Sequence, residues 1–197
     1  MDKVEICNIA LSRIGMDSIE RIDEASQQAR KCQQFYDVTR RNVLRAVPWP
    51  FATRRVRLAL KEETPPDYKY AYGYPADAVC LRKLFSDKFN NIPEKTPYKI
   101  VSNKTGKLLY TNVADAWIEY TADVTDCSLF DDGFIQAFSW KLAAEMAFTL
   151  TSNNGIFSMC VQMFNDYKER AMAEAMNEEN VIDPDLDTFA NARFSGI

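Results

Sequence analysis

The stretch VLRAVPWPFATRRVRLALK, residues 43 to 61, decides how this chain is built. Up to Val47 the apolar residues recur at helical spacing. From Arg55 onward Val56, Leu58 and Leu60 alternate with Arg57, Ala59 and Lys61, the period of a half-buried strand. Between the two periods stand Pro48 and Pro50, which lack an N–H and push their preceding residues toward extended backbone. The helix therefore has to end there. Trp49 and Phe51 fall on the change of period, and Arg45, Arg54 and Arg55 surround them. Such a cluster could bind a flat anion or could be a joint between two pieces of scaffold. The flanking periods favour the joint, with Pro48, Trp49, Pro50 and Phe51 plugging the corner between helices and sheet.

Toward the N-terminus, Val4, Cys7, Leu11 and Ile14 predict an amphipathic helix over 2–14 that stops at Gly15. A second helix over 24–47, capped by Asp23, carries Ala25, Ala29, Cys32, Tyr36, Thr39, Val43 and Val47 on its apolar face.

Toward the C-terminus, Tyr68, Tyr70, Tyr72 and Tyr74 repeat at period two and predict a strand with an aromatic face. Further strands are expected at 78–85, 98–102, 107–111 and 116–122, with a hairpin signal at Asn103–Gly106. Phe134, Phe138, Leu142, Met146 and Leu150 then return to helical spacing in a segment that is apolar almost all round, as in a helix buried among others. After Asn153-Asn154-Gly155 a fourth helix carries Ile156, Cys160, Met163, Phe164, Tyr167 and Ala171. The expected architecture is α+β: an antiparallel four-helix bundle with an inserted small, mostly antiparallel β-sheet lobe and an extended C-terminal arm. Its parts are the bundle in two pieces, 1–48 and 126–180, the sheet lobe at 49–125, and the arm at 181–197.

The chain has no histidine, which removes Ser-His and Cys-His nucleophile pairs, the H-E-x-x-H metal site and any imidazole base. Five cysteines include no C-x-x-C pair, so neither a zinc knuckle nor a disulfide framework is expected, and free thiols in a reducing compartment are. A net charge of -4 gives no general basic field for nucleic acid. No apolar run is long enough for a membrane span, and the N-terminus lacks the pattern of a signal peptide. An enzyme is not expected, and no cofactor or metal is called for.

Three local patterns have plainer readings than chemistry. Asp126, Asp131 and Asp132 are read as caps and first-turn anions of the third helix in place of a carboxylate or metal site. Asn103-Lys104-Thr105-Gly106-Lys107 leads into a strand, so it is read as a turn and not a phosphate loop. The tyrosine ladder could stack bases, but is read as packing. Arg40, Arg41, Arg45, Arg54, Arg55 and Arg57 form the basic cluster, and Glu174, Glu178, Glu179, Asp183, Asp185 and Asp187 an acidic one. Head-to-tail pairing of the two between copies would build a ring. Arg41, Arg45, Arg54, Arg55, Glu178, Glu179 and Asp183 are the interface candidates. Leu186, Phe189, Arg193 and Phe194 are the apolar and cationic points of the arm, which is expected to be unstructured alone and to dock on a portal or a neighbour.

The helix EICNIALSRIG (5–15), the run ARKCQQFYDVTRRNVLRAVPWPFA (29–52), the strand YAYGYPADAVCLRKL (70–84), the segment IEYTADVTD (118–126) and the apolar helix after FDDGF (130–134) together resemble the tail tubular protein A family of short-tailed bacteriophages. The resemblance covers about residues 4–180. It implies a non-enzymatic virion protein, present in the host cytoplasm during assembly, that forms a ring of typically twelve copies between the portal protein and the tail nozzle protein. DNA would pass through the lumen without specific binding. The alternatives are another phage head-completion or connector protein and, from a different class, a helix-turn-helix regulator with Arg40, Arg41 and Arg45 on phosphates.

Overall fold

The computed structural model describes residues 1–86, 96–104 and 106–178. The first helix, α1 (Lys3–Arg13), opens with a capping box: Asp2 accepts from the Glu5 amide at 2.8 Å and Glu5 accepts from the Asp2 amide at 2.7 Å. It closes at Gly15, whose φ of +70 is the left-handed conformation that glycine reaches without a Cβ clash. The next helix, α2 (Gln27–Ala46), is capped by Ser26, which accepts from the Ala29 amide at 3.1 Å. Asp23, expected in that role, pairs instead with Arg21 at 2.7 Å, so the helix starts later than its spacing predicts.

Past Val47 the chain makes a single 3-10 turn, Pro50–Ala52, and enters β1 (Thr53–Arg57). The single strand expected over 55–61 then breaks at Leu58 and Ala59. Beyond the break lies β2 (Leu60–Lys61), followed by β3 (Tyr70–Gly73), β4 (Ala78–Phe85), β5 (Tyr98–Asn103), β6 (Gly106–Thr111) and β7 (Trp117–Ala122). These strands form two antiparallel sheets, of order β1-β7-β4 and β2-β3-β6-β5. Buried Leu58 makes the crossing, its amide donating to the Ala116 carbonyl at 2.9 Å while the next residues pair with β3. Alternation alone cannot show such a crossing, because side chains keep their period while the pairing partner changes. Asn103 pairs with Gly106 in the β5–β6 hairpin, where Gly106 has φ +135. In the tyrosine ladder, Tyr72 and Tyr74 are buried and Tyr68 and Tyr70 half-buried.

A 3-10 turn at Cys127–Leu129, whose Ser128 amide donates to Asp126, leads to α3 (Asp132–Thr151). Asp131 caps α3, accepting from the Phe134 amide at 2.6 Å, and Asp132 sits in its first turn, where negative charge suits the helix dipole. Ser152, with φ 52, ends α3, and α4 (Asn154–Glu178) runs back along it.

The class is α+β, but the expected bundle with one inserted sheet is overturned on two counts. The strands make two sheets, and the helices do not close a four-membered ring of neighbours. α3 is the hub: α1, α2 and α4 each pack on it, while α1 and α2 barely meet and α2 also lies against β4 and β7. The cause is in the sequence of α3, which presents Phe134, Ile135, Ala137, Phe138, Leu142, Ala143, Ala144, Met146 and Ala147 on all sides, every one buried. A helix apolar all round recruits three partners, not two. One continuous core runs from Ile6 and Leu11 through Phe138 to Ile118 and Leu109.

The arm at 181–197, with Leu186, Phe189, Arg193 and Phe194, lies outside the described residues, as do Glu179 and Asp183. Among the described residues no helix is long and apolar enough to cross a membrane.

Candidate functional site

The corner at Trp49 brings together the end of α2, the start of α3 and the C-terminal turns of α4. Trp49 is 2% exposed, donates its indole N–H to the Val43 carbonyl at 2.9 Å and meets the Phe134 ring edge-on at 5.2 Å. Phe51 packs on Phe134 at 5.1 Å and Phe130 at 5.6 Å, and Phe134 continues the stack to Phe138 at 5.5 Å. Pro48 is half-buried and Pro50 exposed. A cavity of about 380 Å³ opens beside the corner, between Pro50, Phe51 and Gly133 on one side and Ala171, Glu174 and Ala175 of α4 on the other. It holds no nucleophile and base in partnership.

The arginines do not form a free basic patch. Arg40 is 1% exposed and donates to Asp123 at 2.5 Å and to the Val124 carbonyl at 2.6 Å. Arg41 pairs with the other oxygen of Asp123 at 3.0 Å. Arg55 pairs with Glu119 at 3.0 Å and stacks over Phe85, and Arg57 pairs with Asp115. Arg54 donates to the Phe51 and Thr53 carbonyls. Of the interface candidates, Arg45 too has no carboxylate partner among the described residues and, like Arg54, gives its donor to a backbone carbonyl, that of Val79 at 2.6 Å. Glu178 ends α4. Apart from Asp37, 3.6 Å from the Arg40 Nε, the neutralising carboxylates lie 58 to 83 residues away from their arginines, so no local pattern could reveal them. For the helix-turn-helix alternative, Arg40 is buried and Arg41 engaged, and residues 14 to 26 separate α1 from α2.

Arg82 has no part in the sequence reading, yet it joins the two layers. From β4 it donates to the carbonyls of Leu44, Arg45 and Val47 at 2.8 to 3.0 Å, and to the Thr121 hydroxyl at 2.8 Å. A cation thus caps the last turn of α2, where the exposed carbonyls and the helix dipole favour it.

Cys7, Cys32 and Cys160 are buried, and all five cysteines are free. A hydrogen bond with Cys32, together with burial, pushes the Cys7 thiol up, and the same bond lowers Cys32. Cys32 also lies 3.6 Å from the Met146 sulfur. These are core contacts, closed to any substrate. Among the described residues no group of three or more Cys, Asp or Glu could hold a metal ion.

The outer surface of the α3–α4 hairpin is different. Phe148 is 59% exposed and Met176 69%, and Phe157, Met159 and Met172 are exposed with them. α4 is long, 25 residues, and packs chiefly on α3. Five of the large apolar side chains left exposed thus lie on this one helical hairpin. The chain matches no family model and no curated protein.

Proposed function

We propose that the chain is a structural adaptor that assembles with copies of itself into a ring, joins a bacteriophage portal to the tail nozzle, and leaves a lumen through which DNA passes without being held. Its place is then the virion connector. The observation that supports this reading is the apolar exposure along the α3–α4 hairpin, where Phe148, Phe157, Met159, Met172 and Met176 are uncovered. Burying such side chains contributes roughly 1.5 to 3 kcal/mol each when complete, which suits a surface meant for a neighbour. The internal pairing of Arg41, Arg55 and Arg57 agrees with a duct that does not grip phosphates. The resemblance supplies the identity of the partners.

Size-exclusion chromatography with light scattering tests this, run on the chain alone and with the portal of the same phage. The expected result is a discrete oligomer, alone or on the portal, that Phe157→Asp with Met159→Asp disperses. A monomer that ignores the portal and retards DNA in a gel would sink the reading.

A further inference from the structure

The two sheets and the end of α2 enclose a groove of a different character from the hairpin face. One cavity, of about 340 Å³, is lined by Arg45, Tyr74, Leu81, Tyr98, Ile100 and Lys107. A second, of about 410 Å³, adjoins it at Tyr74 and Lys107 and adds Lys61. No carboxylate lines either cavity among the described residues. Neither Lys61, Lys107 nor Arg45 forms an ion pair there, in contrast to Arg41, Arg55 and Arg57. Leu81, Tyr98 and Ile100 supply apolar surface between the cations, and Tyr98 and Ile100 are 46% and 39% exposed on β5, an edge strand. Cations above exposed aromatic and aliphatic surface make a site for an acidic segment that also carries apolar side chains.

We propose that this groove is occupied by the chain's own segment Asp183-Pro184-Asp185-Leu186-Asp187, folding back from the end of α4. Charge complementarity is the first support. The three aspartates alternate with Pro184 and Leu186, so an extended backbone puts carboxylates on one side and Leu186 on the other. Reach is the second. α4 lines the corner cavity with Glu174 and Ala175 beside Val47 and Trp49, which follow the end of α2 at Ala46, and Arg45 is the penultimate residue of that helix. From Glu178, five residues to Asp183 span up to about 17 Å, and nine to Asp187 about 30 Å. A tether this short gives an effective concentration on the order of millimolar, which favours the chain's own groove over that of a second copy. Docking would also shield the open rail of β5, which an edge strand otherwise offers to foreign strands. This inference does not depend on ring assembly.

Zero-length carbodiimide cross-linking of the full chain, with labelled and unlabelled protein mixed, tests it. Expected are bonds from Lys107 or Lys61 to Asp183, Asp185 or Asp187 within single isotopic chains, in severalfold higher yield than from exposed Lys69 and severalfold reduced by 1 M salt. Links no more frequent than those of Lys69, or links joining the two isotopes, would overturn the proposal, the latter by placing the segment on a second copy. As a second measurement, the variant D183N/D185N/D187N should raise acetylation of the Tyr98 hydroxyl severalfold. Unchanged modification of Tyr98 would likewise overturn it.

Discussion

Replacing Asp123 with asparagine should cost more stability than replacing Arg40 with methionine, although Arg40 is the more deeply buried partner. Arg40 is 1% exposed, and its guanidinium gives one nitrogen to Asp123 and to the Val124 carbonyl, while its Nε has no hydrogen bond. Asp37 stands 3.6 Å from that Nε but is 61% exposed, so Asp123 is the counter-ion that matters. Removing the Asp123 charge strands a cation that cannot reach water, and breaking a buried pair in this way costs about 3–5 kcal/mol. Removing Arg40 is gentler. Asp123 keeps 20% exposure and its pairing with Arg41, and methionine refills most of the space. What remains is the unpaired Val124 carbonyl, at about 1–3 kcal/mol. The double variant should cost less than the sum, because its second substitution removes the charge that the first strands. Urea unfolding followed by circular dichroism reads these differences. At a slope of about 2 kcal/mol per molar, Asp123→Asn should lower the midpoint by about 2 M and Arg40→Met by about 1 M. Equal costs, or strict additivity in the double variant, would refute the claim that Arg40 is held as an ion by Asp123.

Two further outcomes follow from the corner and the groove. Trp49→Ala should lose about 3–5 kcal/mol by opening a void against Phe134, whereas Trp49→Phe should lose roughly 1–2 kcal/mol with the bond to Val43. Urea midpoints compare the two, and a cost for alanine below about 1 kcal/mol would show that the corner is not part of the core. Burial pushes the Tyr74 phenol up from 10.0 to about 12. Its folded pKa lies above the unfolded one, so its contribution is intact below pH 10 and is lost as pH climbs through about 12, a term of at most about 2–3 kcal/mol. Tyr74→Phe should flatten that alkaline decline in stability and remove one late step from the phenolate absorbance titration; an unaltered titration would contradict the burial.

What the sequence discloses is whatever depends on local period and local capping. The spans of β4, β6 and α3 read directly from spacing, and Asp131 reads as a cap because it precedes an apolar run. The division into two sheets does not, since Leu58 obeys the same alternation whether or not the chain changes partners beside it. The start of α2 misleads because Asp23 and Ser26 are both competent caps, and Arg21 claims the first. Arg40 reads in the sequence as one of a basic cluster, and Arg82 does not stand out at all. An arginine on a helix or a strand looks solvated until a distant carboxylate or carbonyl is folded against it, and Asp123 and the end of α2 meet these two only in three dimensions. The exposure of Phe157 and Met159 is equally hidden, because in one dimension they look like the buried residues beside them.

The hub position of α3 has a consequence for the order in which this protein can fold. α1 and α2 are made first but barely touch each other, and the surface both need lies on a helix that starts at Asp132. A growing chain therefore carries two amphipathic helices whose α3-facing surfaces stay uncovered, through the synthesis of seven strands, until α3 leaves the ribosome. Contacts of such long sequence separation slow the search for the native state. Closure of the helical layer is thus a late and collective event, and the nascent chain is most open to misassociation just before α3 emerges.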